Sequence, residues 1–71
     1  MKKQEKIELM NNLIVALNEK RIKENKVQVS RQWTGLGYWL KTEEPNYKCI
    51  GRIYTDTNMF IGFLEGMLIN Y

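Results

Sequence analysis

The chain has 71 residues, a net charge of +3, one cysteine and no histidine. This length accommodates one domain, residues 1–71, and not two. A single cysteine excludes an internal disulfide, and the lack of histidine excludes the usual zinc sites and catalysis by a histidine base. The hydrophobic content of 44% is that of a folded globular domain rather than a disordered chain.

Cysteine usage and hydropathy predict the compartment. A lone cysteine is more typical of a reducing compartment than of secretion. The basic start of the chain is followed by Gln4 and Glu5, where a signal peptide needs a continuous apolar core. The most apolar run, residues 59–69, is shorter than the ~20 residues that span a bilayer. We therefore expect a cytoplasmic protein that does not enter a membrane.

The first predicted element is a helix from residue 4 to about residue 25. Its apolar residues recur at spacings of three and four, which is typical of a helix with one buried face. Acidic residues begin this segment and basic residues end it, an order that complements the helix dipole. The residues expected on the buried face are Ile7, Met10, Leu13, Ile14 and Leu17.

Three strands are predicted next, because an alternation with a period of two replaces the helical spacing. They cover residues 27–33, 38–43 and 47–54, separated by the glycines of residues 34–37 and by a turn at Glu44, Pro45 and Asn46. The strand residues expected to point into the core are Val27, Val29, Trp33, Tyr38, Leu40, Tyr47, Cys49, Gly51 and Ile53.

A second helix is predicted from the N-cap residues at 55–58 to about residue 70. The element order is therefore α-β-β-β-α. This order predicts an α+β fold, a three-stranded antiparallel meander with both helices on one face. Phe60, Leu64 and Met67 are expected to join the core from the second helix.

The strand residues that alternate with the core residues are expected on the opposite, uncovered face of the sheet. They provide a candidate binding face made of Trp39, Lys41, Lys48, Ile50, Arg52 and Tyr54. Aromatic side chains between cations are typical of surfaces that stack single-stranded nucleic acid. They are equally typical of protein–protein hot spots, and the apolar members would also stabilise an exposed sheet by pairing across strands.

The second helix carries a candidate contact made of Gly62, Phe63, Gly66 and Ile69. Two glycines four residues apart form a flat stripe that another backbone can approach closely. Because each glycine costs about 1 kcal/mol of helix stability, a compensating contact is expected. One interpretation is tight packing on the first helix or on the sheet. The other is a contact outside the domain, most simply a homodimer, and surplus apolar residues favour it: Met59, Ile61, Phe63 and Ile69.

Catalytic chemistry is not predicted. Most carboxylates are expected on the polar side of the first helix, at the proline turn or at the helix cap. A glycosidase-type site needs two carboxylates facing each other across a cleft, and a chain this short has little room for a cleft. Cys49 is expected to be a buried hydrophobe rather than a nucleophile. Residues 35–37 lack the third glycine and the following helix of a dinucleotide-binding fingerprint. We therefore expect no enzyme, no cofactor and no metal site.

The layout α-β-β-β-α in about seventy residues resembles the double-stranded-RNA-binding domain. The resemblance implies a lysine-rich start to the second helix, which contacts phosphates in that family. The corresponding residues 55–59 are acidic and polar here. The function of that family is therefore not carried over to this chain.

A looser resemblance covers the whole chain. The Lys/Asn/Ile-rich composition, residues 37–40 (Gly-Tyr-Trp-Leu) and residues 63–68 (Phe-Leu-Glu-Gly-Met-Leu) look like small accessory proteins of phages and mobile elements in low-GC bacteria. The resemblance implies a protein that binds and blocks a host protein, as anti-CRISPR-type inhibitors do. We expect a non-catalytic binding module whose partner is a protein, either a second copy or a host protein. The alternative is a nucleic-acid-binding protein that uses the uncovered sheet face.

Overall fold

The computed structural model of the chain describes residues 2–43 and 47–71. Its elements are α1 (Lys3–Lys23), β1 (Val29–Trp33), β2 (Tyr38–Thr42), β3 (Cys49–Tyr54) and α2 (Thr57–Ile69). The strands form one sheet in the order β1-β2-β3, and both neighbouring pairs are antiparallel. The predicted α+β meander is therefore confirmed. The turn predicted at Glu44, Pro45 and Asn46 lies outside the described residues.

The core forms where both helices meet one face of the sheet. Its buried residues come from α1, β1, β2 and α2, and they include Val29 and Leu40 from the strands. Most of the predicted helical core residues are buried, and Ile7, Leu13 and Met67 pack around the cluster as half-buried neighbours. The full set of buried apolar residues is Met10, Ile14, Leu17, Val29, Leu40, Phe60, Ile61 and Leu64.

The two helices run in the same direction. Residues from the first turns of both helices, Lys3 and Thr57 among them, line one cavity. At the other end, the ring of Tyr71 follows α2 and lies 5.4 Å from Nζ of Lys26, which follows α1. Helix α2 begins as predicted at the cluster of N-cap residues, because the Asp56 carboxylate accepts a 2.7 Å hydrogen bond from the Asn58 N–H.

The pairing of β2 with β3 contains a bulge. Tyr38 is paired with Tyr54 and Leu40 with Ile50, so two steps along β2 correspond to four steps along β3. Gly51 lies inside this irregular segment and has a φ of 78°, a backbone conformation that favours glycine. The bulge sets which β3 side chains face the helices.

Most of strand β3 faces the opposite way from the prediction; Gly51 is the exception, because it lies against the Phe63 ring of α2 on the helix side, as expected. Ile50 and Tyr54 were expected on the uncovered face, yet both pack against the core. The reason is aromatic packing: the Tyr54 ring lies 6.0 Å from the Phe60 ring and 5.0 Å from the Phe63 ring of α2, measured between ring centres. The residues expected in the core instead, Tyr47, Cys49 and Ile53, are exposed.

Two further residues expected in the core lie at its margin. Val27 precedes β1 and is exposed. The Trp33 ring lies on the helix side, 5.0 Å from the Tyr38 ring, but 55% of its surface remains exposed. Trp33 is the last residue of β1 and lies at the edge of the area that the helices cover. Its side chain therefore points to the helix side, as predicted, but is not buried, contrary to the prediction.

Candidate binding face of the sheet

Two of the six residues predicted for a binding face reach the uncovered side of the sheet. Trp39 and Lys41 lie on either side of Leu40, which is fully buried on the helix side, and alternation along the strand therefore turns them outward. Their partners on β1 are Gln32 and Ser30, which face the same way. The sequence correctly assigned this strand.

The other four residues lie elsewhere. Ile50 and Tyr54 pack on the helix side, as described above. The Arg52 guanidinium carbon lies 5.1 Å from the centre of the Tyr54 ring, which draws this side chain toward the helix side at the edge strand. Lys48 precedes β3, and its N–H donates a 2.9 Å hydrogen bond to Oγ1 of Thr42. The structure therefore does not group Lys48 and Arg52 with Trp39.

Residues that the sequence had assigned to the core replace them. Cys49 is the partner of Lys41, and Ile53 precedes the inward-facing Tyr54, so both face outward. Tyr47 joins them through its ring, whose centre is 5.0 Å from Nζ of Lys41. We call this surface the open face, and it consists of Ser30, Gln32, Trp39, Lys41, Tyr47, Cys49 and Ile53.

Trp39 lies near the middle of the open face. Its side chain is half-buried although no helix covers it, and it occupies the position opposite the β3 bulge. Its Nε1 is fully buried and has no hydrogen-bond acceptor within residues 2–43 and 47–71. A buried donor without a partner costs about 1–3 kcal/mol.

The open face is mainly aromatic, apolar and uncharged. Tyr47 is 58% exposed and Ile53 is 47% exposed. Lys41 is the one cation among its seven residues, because Lys48 and Arg52 lie off it. Most of the basic residues of the chain lie near the two ends of α1 instead. The open face therefore has little of the charge that a phosphate backbone attracts.

The free thiol of Cys49 is exposed on this face, so the expectation of a buried cysteine is wrong. Its Sγ lies 3.7 Å from the carbonyl oxygen of Gly51 and donates a weak hydrogen bond to it. In the described part of the chain, no three Cys, Asp or Glu side chains come together as a metal site would require.

Helix α2 differs from its prediction in what it leaves exposed. Ile61 was expected beyond the buried stripe and is buried, and Phe63 is half-buried against β3. Gly62 and Gly66 have open space where a Cβ would lie, so tight packing on α1 or the sheet does not explain them. Two apolar side chains of this helix remain largely exposed, Met59 at 52% and Ile69 at 82%.

These two side chains and the two glycines lie at spacings of three, four and three, which places them along one side of the helix. Met59 and Ile69 are at the ends of this line, and Gly62 and Gly66 are between them. Because no atom of the described residues lies within 4 Å of a Cβ at either glycine, a contact through this side of α2 stays a prediction.

Comparisons with models of protein families, with curated proteins and with solved structures found no match for this chain. Across the two described segments, neither helix combines the length and the apolar character that crossing a bilayer requires. The function is therefore argued from the side chains themselves.

Proposed function

We propose that the chain is a small non-catalytic binding module that acts through protein–protein contacts made by its open face. One observation carries the proposal: strand alternation turns Trp39 and Ile53 to the side of the sheet opposite the helices, where Tyr47 and Ile53 are exposed. Tryptophan and tyrosine are the residues most enriched at the energetic centres of protein interfaces. The uncharged polar residues Ser30 and Gln32 at the β1 side supply hydrogen-bonding groups for a rim.

Nucleic-acid binding is the second candidate, and the cation–ring pair of Lys41 and Tyr47 favours it. Proteins that bind nucleic acid neutralise several phosphates, and their affinity depends on several basic residues in one groove. The open face offers one such residue, since the two other predicted cations lie away from it. The charge distribution therefore supports a protein partner over nucleic acid.

The biological role that we propose is that of an accessory protein or inhibitor that binds a host protein. Its support is the resemblance in composition and in residues 37–40 and 63–68 to small proteins of phages and mobile elements. Blocking a partner by contact requires a surface and no catalytic group, which matches the open face. The same proposal implies a cytoplasmic location, because the chain would bind its host protein in the cytoplasm.

Affinity capture from a low-GC bacterial lysate tests the proposal when it is done with and without nuclease. We expect a protein to be retained in both samples, to be lost with Trp39→Ala and to be kept with Ile22→Ala. Ile22 is a matched control because it is an exposed apolar residue in the last turn of α1 and is not part of the open face. Retention of nucleic acid that nuclease abolishes, or of no macromolecule at all, would contradict the proposal.

A further inference from the structure

A groove lies on the helix side of the domain, where both helices begin. Two adjoining cavities of about 210 Å³ and about 490 Å³ share four lining residues, and together they form one groove with a narrow and a wide part. Its principal lining residues are Lys3, Lys6, Ile7, Trp33, Tyr38 and Thr57. Since Tyr38 faces the helices, the groove is separate from the open face.

The wall of the groove is aromatic and held in place. The Tyr38 ring stacks on the Phe60 ring of the core, with 5.5 Å between ring centres and 15° between ring planes. The Trp33 ring leans on Tyr38 at 5.0 Å and is still 55% exposed. Because these two rings are already held in place by packing, a ligand that binds them would cost little side-chain conformational entropy.

The rim of the groove is positive. Lys3 and Lys6 line it, and the one ion pair within residues 2–43 and 47–71 joins Lys26 to Glu24 at the other end of α1. No carboxylate lines either cavity among the described residues. Two carboxylates at the starts of the helices accept backbone hydrogen bonds: Glu5 accepts the Lys2 N–H, and Asp56 accepts the N–H of Asn58. The first turn of α2 adds the positive end of its dipole at Thr57.

We propose that this groove binds an acidic peptide segment of a protein partner, with one aromatic or large apolar side chain against Trp33 and Tyr38 and carboxylates beside Lys3 and Lys6. Trp33 and Tyr38 line the wide part, which at about 490 Å³ has room for one large side chain. Lys6 lines the narrow part of about 210 Å³, and Lys3 lines both parts. The unpaired lysines select the charge of the segment. This site goes beyond the proposed function, since it uses the opposite layer of the fold and the other tryptophan.

The test uses two blocked pentapeptides. One has a central phenylalanine between two pairs of aspartates, and in the other asparagines replace the aspartates. Each is titrated into the full chain, and the backbone and indole N–H signals are followed by NMR. With the acidic peptide we expect saturable shifts in the signals of residues 3–10 and of the Trp33 indole. The affinity of the neutral peptide should be lower than that of the acidic peptide by about fivefold or more. The Trp39 indole signal should stay in place.

Two sets of variants complete the test. Trp33→Ala should weaken binding of the acidic peptide about tenfold. The double variant Lys3→Gln and Lys6→Gln should bind the acidic and the neutral peptide with equal affinity. The pair Lys20→Gln with Lys23→Gln changes the net charge equally at the far end of α1 and should leave binding as it was. No saturable shift up to about 5 mM peptide, equal binding of both peptides, or equal effects of the two lysine pairs would overturn the proposal. None of these results depends on the open face.

Discussion

The ring of Phe63 lies against the backbone of Gly51, so close that a Cβ added to this glycine would be 2.8 Å from the ring carbon Cζ. Position 51 therefore requires a glycine, because any side chain there would meet the ring. The register of β3 shifts around this glycine, Tyr54 stacks on Phe63 of α2, and Ile53 is left on the open face. The contact between Gly51 and Phe63 lies in the segment whose register decides which β3 residues a partner can touch.

The first prediction tests this contact with two alanine substitutions. Gly51→Ala should lower the free energy of unfolding by about 2–3 kcal/mol, because a positive φ and the Phe63 ring both oppose the added methyl group. Gly35→Ala should cost about 1 kcal/mol, since Gly35 has a φ of 90° and open space around it. Urea denaturation of both variants measures the difference. Equal losses would show that the ring does not constrain Gly51.

The second prediction concerns the attachment of α1 to β1. The Asn18 amide N–H donates to the Val29 carbonyl at 2.9 Å, and its Oδ1 accepts from the Val29 N–H at 2.7 Å. Asn18→Ala leaves both backbone groups of a buried residue without these partners, so we expect a loss of about 2–3 kcal/mol.

Asn11→Ala is its control on the same helix. Asn11 makes one exposed hydrogen bond, in which its Oδ1 accepts from Nε of Arg31, and its removal should cost about 0.5 kcal/mol. Thermal and urea unfolding of the two variants would compare them. Similar losses would mean that Asn18 has no special part in joining α1 to the sheet.

The sequence predicted the element order, the helical core and a helix start within the N-cap cluster at 55–58, because each depends on local spacing or local chemistry. It did not predict the orientation of β3. The odd-numbered and the even-numbered residues of this strand both include apolar side chains. Alternation with a period of two therefore does not decide which of the two sets faces the helices. The available signal was Gly51, since a glycine inside a strand often marks a bulge. Which set faces inward depended on rings from α2, a contact distant in sequence.

The third prediction concerns self-association through α2. A second copy that approaches along Gly62 and Gly66 would cover Met59 and Ile69. It would also fill the space beside the two glycines, where no atom of the described residues lies within 4 Å of an added Cβ. We expect sedimentation at micromolar concentration to show a dimer of the 8.5 kDa chain. Gly62→Leu should dissociate it without unfolding the monomer. A wild-type chain that sediments as a monomer would contradict this prediction.

The fourth prediction separates the two candidate functions by charge. With one cation on the open face, the chain should not retard single- or double-stranded oligonucleotides at physiological salt. An electrophoretic mobility assay at low and physiological salt measures this directly. Retardation that Lys41→Gln weakens and that falls steeply with salt would favour the nucleic-acid alternative.

The most direct test of the open face is the affinity of the captured partner for three variants. We predict that Trp39→Ala weakens binding by about 2 kcal/mol, which is roughly 30-fold. Tyr47→Ala should weaken it by a smaller factor, since Tyr47 is exposed and its loss does not disturb the core. Ile22→Ala, a change on α1 outside the open face, should bind within about twofold of the wild type, and circular dichroism should show that all three are folded. If Trp39→Ala and Tyr47→Ala bind as tightly as Ile22→Ala, the open face is not the binding surface.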